Sequence, residues 1–460
     1  MKRVLVVAFH FAPENTSGTH RSLHFARRLV DEGIDVTVLT RSLESLSAYD
    51  PALTEVFPWP EQVVRVAEQN TRLDRAVAGT RRALKRGKPR SDAVVGPVRT
   101  ETGRPAGRSS GPDSARRSSN RRFGAARSFV DWSLRFPDIH KGWYEPALSE
   151  GLKIIERDPF DLVFASGPPW TGLRVGARLS RAGELPLIAD YRDPWTRRTG
   201  REWAVGGRLF DLFAAGLEGQ VIRTAAVTTA NSPGISEAIR TGYPSLADGD
   251  IVTILNGSDA KRRTVSRPFP APSGLVARHF GSLYAGRRIA PLLQAMAERV
   301  REGGIWCAEQ YGPAPAEADL EGLDPSSSGL LTVKEPLAFQ AAVDRMHEPS
   351  LLVVIQPAIL FRQVPTKLYD YLCSGNPVLV LATGNSAAWQ VASRFDRAFR
   401  ADPDDTTGIS SILAELENRQ RSGELQQEAT EHDTAGLTKQ AIGTEFIRIA
   451  SRVARGASHP

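Results

Sequence analysis

The sequence predicts an α/β protein built from two doubly wound parallel sheets. Short apolar runs alternate with helical patterns along most of the 460 residues, and this alternation is typical of parallel strands joined by helices. The chain is too long for one simple core, so two lobes are expected. Residues 260–274, rich in Arg, Pro and Ser, separate two series of candidate strands and predict an interdomain connection.

The first lobe is predicted to contain six strands. They are the apolar runs RVLVVAF, IDVTVLT, DLVFAS, PLIADY, AVTTA and IVTIL. Helical patterns separate them, such as RSLHFARRLVDEG, which ends at Gly33. This lobe is assigned to residues 1–258.

The second lobe is predicted to contain five strands, LVARHFGSL, IWCAEQYG, GLLTV, LLVVIQP and PVLVLAT. It is assigned to residues 259–436. Two doubly wound domains that face each other place the carboxyl ends of both sets of strands around one cleft. A final helical pattern belongs to neither series, and we expect this helix, within residues 437–460, to pack back on the first lobe.

The net charge of +7 comes from one segment. Residues 72–127 contain 16 Lys or Arg and four Asp or Glu, and they are rich in Gly, Pro and Ser. Such a composition cannot offset the entropy lost on ordering, so we predict that residues 71–127 form a disordered basic insertion. Two interpretations stay open: a solvated insertion without function, or contact with an anionic membrane or polyanionic substrate. Phe123 is its single aromatic residue, which disfavours nucleic-acid binding by base stacking.

The chain is predicted to be cytoplasmic. Cys307 and Cys373 lie in apolar strand and helix patterns, which indicates no disulfide framework and a reducing compartment. His10 interrupts the first apolar run, and no small-residue cleavage site follows, so that run predicts a strand rather than a signal peptide. No run of about 18 apolar residues occurs. If the basic insertion binds lipid, the protein is peripheral at the inner membrane face.

The segment QVPTKLYDYLCSG, residues 363–375, predicts an amphipathic helix with a cation in its first turn. Pro365 suits the first helical position and Gly375 the stop. The field of a helix disfavours a lysine at this end, but an anion between the ammonium and the free N–H groups removes the conflict. Pro365, Thr366 and Lys367 therefore predict a phosphate site.

Several segments, taken in order, resemble motifs of the retaining glycosyltransferases of family 4, which have the two-domain GT-B fold. They are the opening strand, loop, helix and strand of residues 3–40, then DLVFASGPPW with PLIADYRDPW, NGSD, HFGSLYAGRR and VPTKLYDYLCSGNPVLV. The resemblance covers most of the chain outside the basic insertion. It implies transfer of a sugar from a nucleotide-diphosphate sugar with retention of configuration, as in bacterial cell-surface polysaccharide glycosyltransferases. The implied acceptor is lipid-linked, a polysaccharide or a small molecule.

The second lobe is expected to bind the donor. Arg287 and Arg288 follow GSLYAG, and with Lys367 they would stabilise the leaving diphosphate without a metal. Asp370 takes the place of a family glutamate that binds ribose, and it is one methylene shorter. Eight residues earlier many relatives carry an acid that holds the donor sugar, whereas this chain has Arg362. That difference indicates an altered donor sugar or lost activity.

The loop and helix after the first strand supply further candidates. Gly18 would let the backbone approach the donor phosphate or sugar. His20 and Arg21 begin the following helix and are expected to face the cleft.

Three charged residues end the strand PLIADY. Asp190, Arg192 and Asp193 are candidate contacts for the acceptor or the sugar, because strand-end charges at a cleft are often functional. An ordinary ion-pair cluster explains them equally well. The candidate catalytic residues are Asp193, His20, Arg287 and Lys367.

No metal or cofactor is predicted. The eight histidines are scattered without zinc-site spacing, and DPDD at 402–405 is interpreted as a helix cap. Two alternatives to a transferase stay open: an isomerase similar to nucleotide-sugar 2-epimerases, and a catalytically degenerate GT-B binding protein.

Overall fold

The computed structural model describes residues 1–46, 48–69, 136–196, 207–259, 267–269, 274–283, 286–320, 323–427 and 434–456. Two parallel sheets of seven and six strands form two lobes, each with helices on both faces. The predicted architecture of two Rossmann-like domains is therefore confirmed. The basic insertion and its predicted disorder lie outside the described residues.

The first sheet has the strand order β3-β2-β1-β4-β5-β6-β7. Its strands are β1 Arg3–Ala8, β2 Asp35–Arg41, β3 Val63–Val66, β4 Leu162–Gly167, β5 Leu187–Tyr191, β6 Val227–Ala230 and β7 Ile251–Thr253. The strand order reverses between β1 and β4, so the carboxyl ends of these two strands border a crevice of the kind in which α/β proteins bind ligands. The edge strand β3 was not predicted.

The helices of the first lobe cover both faces of this sheet. They are α1 Ser17–Asp31, α2 Ala52–Val56, α3 Tyr144–Arg157, α4 Trp170–Ala182, α5 Gly207–Thr224 and α6 Pro233–Gly242. The first turn of α6 is fixed locally, because Ser232 Oγ accepts a hydrogen bond from Ile235 N at 3.2 Å and Pro233 stands at the first helical position.

The second sheet repeats the same topology. Its strands are β9 Leu275–Phe280, β10 Trp306–Tyr311, β11 Leu331–Lys334, β12 Leu351–Ile355, β13 Val378–Leu381 and β14 Ala398–Ala401. They lie in the order β11-β10-β9-β12-β13-β14, which reverses between β9 and β12. Two short strands outside the sheet, β8 Arg267–Pro268 and β15 Gln426–Gln427, pair with each other. The sequence did not predict β14 or this short pair.

The helices of the second lobe are α7 Ala290–Arg301, α8 Glu317–Leu320, α9 Pro325–Ser328, α10 Phe339–Met346, α11 Lys367–Ser374, α12 Ala387–Ala392 and α13 Thr406–Arg421. Asp405 caps α13, as predicted, by accepting a hydrogen bond from Gly408 N at 2.9 Å. Short 3-10 helices occur at Leu43–Ser45, Pro60–Gln62, Lys141–Trp143, Ala358–Leu360 and Ala435–Leu437.

The C-terminal helix α14, Lys439–Gly456, packs on the first lobe as expected. Phe446 is fully buried, and its ring stacks on that of Phe25 in α1 with centroids 4.2 Å apart. The chain thus crosses from the first lobe to the second and returns. Within the described ranges, none of the helices combines the length and the apolar character that crossing a bilayer requires.

Candidate functional site

The helix α11 begins at Lys367, two residues later than the sequence predicts. Thr366 occupies the N-cap position and makes no side-chain capping hydrogen bond, and Pro365 precedes it. Gly375 ends the helix with φ +81°, a left-handed conformation that favours glycine. Lys367 is therefore the first helical residue, at the end of the helix where an anion is favoured.

The ammonium of Lys367 lies at the carboxyl end of β9. Its Nζ donates to His279 Nε2 at 2.8 Å and to the carbonyl oxygen of Phe280 at 2.5 Å. Burial and the charge of Arg287 lower the pKa of Lys367 to about 7. Both of these hydrogen-bond partners are neutral, so no described counter-ion offsets the ammonium form of this lysine at the topological switch point of the second sheet.

His279 and Gln310 form a buried polar pair behind this lysine. His279 Nδ1 lies 2.6 Å from Gln310 Oε1, and Gln310 Nε2 donates to the carbonyl oxygen of Gly281 at 2.5 Å. Burial and the charge of Lys367 lower the pKa of His279 to about 3, so its imidazole is neutral at physiological pH. Neither residue was predicted to be functional from the sequence. The signal that could have found them is that each is a polar side chain near the end of an apolar strand.

The turn after β9 is held close to Lys367 by backbone contacts. Gly281 has φ +99°, and a Cβ on Gly312 would lie 2.6 Å from the carbonyl oxygen of Gly281. Tyr371, in α11, accepts a hydrogen bond from Phe280 N at 3.0 Å. The strand end, the turn and the helix start are therefore linked by direct contacts.

Arg287 and Arg288 have different surroundings. The charge of Arg287 lowers the pKa of both Lys367 and His279, which places its guanidinium within electrostatic reach of the helix start. Arg288 instead pairs with Asp404 at 3.3 Å, and both side chains are exposed. The structure thus brings Arg287 to Lys367, whereas Arg288 is engaged elsewhere.

Asp370 faces the connection between the lobes. It accepts a hydrogen bond from Ser258 Oγ at 2.6 Å, next to the ion pair of Asp259 with Lys439. Burial raises the pKa of Asp370 to about 6, although the hydrogen bond from Ser258 and the charge of Lys439 oppose that change. Its role as a ribose contact stays a prediction.

In the first lobe, Arg21 and Asp190 form a buried ion pair. Arg21 Nη2 lies 2.8 Å from Asp190 Oδ1, and Asp190 also accepts hydrogen bonds from Ser166 and Thr229. Burial alone would raise the pKa of Asp190, but the charge and hydrogen bonds of Arg21 outweigh it and hold that pKa below its ordinary value. The hydrogen-bonding groups of both side chains find their partners inside the lobe. Their contact with the acceptor or the sugar stays a prediction.

Arg192 lies against the first turn of α1. Its Nη2 donates to the carbonyl oxygen of Pro168, and a Cβ on Gly18 would collide with its guanidinium. Its Nε is buried and has no hydrogen-bond partner among the described residues. Burial lowers the pKa of Arg192. Gly18 is thus required by the close approach of Arg192 to the helix.

A second polar group at this edge was not predicted. His10 Nδ1 lies 2.8 Å from Glu14 Oε2, and Glu14 Oε1 pairs with Arg41 at 3.3 Å. A Cβ on Gly18 would lie 3.0 Å from His10 Cδ2, so His10 and Arg192 share one side of the helix start. The sequence signal was the polar segment HFAPEN directly after β1.

His20 lies apart from the residues around Lys367 and from the residues around Arg192. It is exposed on α1, and its Nε2 lies 3.0 Å from Asn15 Oδ1. The structure therefore does not bring His20 together with Lys367 or with Arg192.

The lobes contact each other through the segment before α11. Gln363 Nε2 donates to Asp193 Oδ1 at 2.7 Å, and Ser232 Oγ donates to the carbonyl oxygen of Arg362 at 2.5 Å. The guanidinium of Arg362 lies over the ring of Phe361, 4.9 Å from its centroid. Asp193 and Arg362 thus both lie where the first lobe meets the segment before α11.

Metal-ligand clusters are not evident: no group of three or more His, Cys, Asp or Glu side chains suited to a metal ion occurs in the described part of the chain.

Solved structures share the whole architecture of the chain. A glycosyltransferase from Rickettsia africae matches with a TM-score of 0.57 at 10% identity over 98% of each chain. HepE from Anabaena, solved in complex with UDP, matches with 0.54 at 13% identity over 100% of each chain. The chain has the GT-B fold. The lipopolysaccharide outer core galactosyltransferase WaaB also matches this GT-B chain, with 0.52 at 12% identity over 98% of this chain and 99% of that chain.

No protein-family model and no curated protein matches the chain. Identities of 10–13% establish the fold alone, so the function of this GT-B protein has to be argued from the site.

Proposed function

We propose that this GT-B protein is a glycosyltransferase that uses a nucleotide-diphosphate sugar as donor. One observation carries the proposal: Lys367, whose hydrogen-bond partners among the described residues are neutral, lies at the start of α11 and at the switch point of the second sheet. A diphosphate fits that position, because the helix start and the ammonium both attract an anion. HepE, a protein of the same fold solved in complex with UDP, supports a nucleotide as the ligand.

Lys367 and Arg287 would act on the leaving group. When the glycosidic bond breaks, negative charge grows on the diphosphate, and cations held in place before the reaction stabilise that charge at little reorganisation cost. The two side chains supply two positive charges from different elements, the start of α11 and the turn after β9. We therefore propose catalysis by protein cations, independent of a metal, and transfer of a hexose.

The proposed course retains the configuration, as in the family 4 enzymes that the motifs resemble. The acceptor oxygen bonds to the anomeric carbon on the face from which the diphosphate departs. The bond from that carbon to the phosphate oxygen breaks, and the departing phosphate oxygen takes the acceptor proton. Asp370 is proposed to bind the ribose from its position one turn after Lys367.

The acceptor is proposed to bind the first lobe. Gly18, His10 and Arg192 lie together at the carboxyl end of the first sheet, and Asp193 reaches the second lobe through Gln363. We propose a lipid-linked, polysaccharide or small-molecule acceptor. We further propose that the protein is cytoplasmic and that the basic residues 72–127 bring it to the inner face of the membrane. Equal flotation on anionic liposomes with and without residues 72–127 would contradict the membrane contact.

The donor site is tested by calorimetry with UDP, GDP and dTDP. Lys367→Ala removes the proposed phosphate contact, and we expect at least roughly tenfold weaker binding, the size expected for loss of a hydrogen bond to a charged group. Lys334→Ala, which removes an exposed lysine of β11 in the same lobe, is the control and should bind as the wild type does. Equal affinity of Lys367→Ala and wild type would contradict the proposal.

Incubation with the matching nucleotide sugars then identifies the reaction. A glycosyltransferase releases nucleoside diphosphate, by transfer or by slow hydrolysis. An isomerase returns an epimeric nucleotide sugar, and a degenerate binding protein returns the donor unchanged.

A further inference from the structure

A chain of hydrogen bonds runs from the turn after β9 to the proposed phosphate site. Its members are the carbonyl oxygen of Gly281, the side chains of Gln310 and His279, and the ammonium of Lys367. The three distances are 2.5 Å, 2.6 Å and 2.8 Å. His279 and Gln310 are 2% and 0% exposed, so water does not compete for these bonds.

The direction of each hydrogen bond follows from the carbonyl at the end of the chain. A carbonyl only accepts, so the amide nitrogen of Gln310 faces Gly281 and its Oε1 faces His279. Oε1 in turn accepts from Nδ1–H of His279, which leaves Nε2 unprotonated. The ammonium of Lys367 donates to that nitrogen.

The described hydrogen-bond partners of Lys367 carry no negative charge that would offset its ammonium form. A buried lysine is commonly paired with a carboxylate, which would cancel the field that attracts a phosphate. Here a neutral imidazole and a backbone carbonyl accept two of its three N–H groups. No group of the described residues accepts the third N–H.

We propose that His279, oriented by Gln310, is the positioning residue that holds the Lys367 ammonium toward the donor diphosphate without neutralising it. This inference rests on the proposed function for its ligand, but the hydrogen-bond chain can be tested without one. The groups whose charge or hydrogen bonds act on Lys367 are His279 of β9, the carbonyl of Phe280, and Arg287 of the turn after β9.

The experiment compares two substitutions of nearly equal shape. His279→Gln keeps a neutral acceptor, and His279→Glu puts a carboxylate at the same place. We expect His279→Gln to bind UDP within about threefold of wild type, because a neutral hydrogen bond to the ammonium is retained. His279→Glu should bind UDP at least roughly tenfold more weakly, because the carboxylate competes with the diphosphate for the ammonium.

A second measurement reads the lysine without nucleotide. The rate at which acetic anhydride acetylates Lys367, followed by mass spectrometry across pH, reports its pKa because only the neutral amine reacts. The expected pKa is about 7 in wild type. His279→Glu should raise it, since an adjacent carboxylate favours the charged form, and His279→Leu should lower it, since burial then acts without the acceptor. A lower affinity for UDP together with a higher lysine pKa in His279→Glu is a signature that simple loss of packing does not produce.

His347→Leu is the matched control, because His347 is another buried histidine of the second lobe that does not act on the pKa of Lys367. This substitution should change neither the affinity for UDP nor the pKa of Lys367. Unchanged lysine pKa values in all three variants at position 279 would overturn the positioning role, whether or not UDP binds. If wild type binds no nucleoside diphosphate but the pKa changes occur, the hydrogen-bond chain stands and the proposed function fails. Should His279→Leu not fold, the comparison of Gln with Glu still decides.

Discussion

The partner of a buried charge separates two kinds of residue in this protein. Arg21 is paired with the carboxylate of Asp190, and this ion pair joins α1 to β5. Lys367 is held by the neutral groups of His279 and Phe280 and has no counter-ion among the described residues. A desolvated cation without a counter-ion is costly. Its presence at a helix start is the residue-scale evidence for an anionic substrate.

Asp370→Asn tests the acid at the joint between the lobes. The pKa of Asp370 is about 6, against an ordinary 3.8, so the folded protein binds this proton more tightly than the unfolded chain does. The free energy of unfolding of wild type therefore falls as pH rises from about 4 to about 6. The variant lacks this pH-dependent loss. We expect its free energy of unfolding to exceed that of wild type by up to roughly 3 kcal/mol at pH 8 and by little at pH 4.

Urea unfolding at the two pH values measures this difference, with Asp344→Asn as a control at an exposed acid of α10. If the free energies of unfolding of wild type and Asp370→Asn differ by the same amount at pH 4 and at pH 8, that result would contradict the raised pKa of Asp370. If Asp370 binds ribose, the stabilised variant also loses affinity for UDP.

Local sequence predicted residues whose role depends on their own helix, and it missed those defined by distant partners. Lys367 was found because the helix start, its proline and its lysine are adjacent in sequence. His279 and Gln310 were not predicted because the hydrogen bond between them joins two neighbouring strands that are distant in sequence. Arg21 and Asp190 were chosen as candidates, but their pairing across 169 positions could not be seen.

At the scale of elements, the C-terminal helix α14 is part of the first lobe although it follows the second in sequence. Phe446 contacts the rings of Phe25 and Phe164 at the centre of that core. Phe446→Ala should lower the free energy of unfolding by about 3–5 kcal/mol, the usual range for a buried phenylalanine.

Denaturant unfolding followed by tryptophan fluorescence checks this value. Thr444→Ala, an exposed position of the same helix, serves as the control and should stay close to wild type. A loss of no more than about 0.5 kcal/mol in Phe446→Ala would mean that α14 docks weakly, since that is the usual range for surface substitutions.

The elements missed by the sequence are short and lie at edges. β3 and β14 have four residues each and border their sheets, so their apolar patterns are too brief to distinguish from loops. The start of α11 was placed two residues early because Leu368 N and Tyr369 N bond back to Pro365 and Thr366 in a tight turn. Long strands in the centre of each sheet were predicted correctly, since burial on both faces makes them continuously apolar.

At the scale of the whole molecule, the two lobes contact each other directly beside the segment before α11. Gly234, in the first turn of α6, lies against the backbone of Arg362: a Cβ there would be 2.6 Å from Arg362 Cα and 2.8 Å from its carbonyl oxygen. Because backbone atoms cannot rotate away, Gly234→Ala should separate the lobes. We expect a larger radius of gyration in solution scattering and weaker binding of UDP.

Gly216→Ala is the control, since a Cβ at that position in α5 meets nothing within 4 Å. Both substitutions add the same helix propensity, roughly 0.5–1 kcal/mol, and only one affects the contact between the lobes. An unchanged radius of gyration in Gly234→Ala would show that the lobes do not meet as described.

The most direct test of the proposed donor site is a crystal structure of the protein with UDP, GDP or dTDP bound. We predict that the diphosphate lies at the start of α11, with a phosphate oxygen within hydrogen-bond distance of Lys367 Nζ and the guanidinium of Arg287 beside it. A nucleotide bound away from α11, or a Lys367 ammonium turned away from the phosphates, would contradict the assignment.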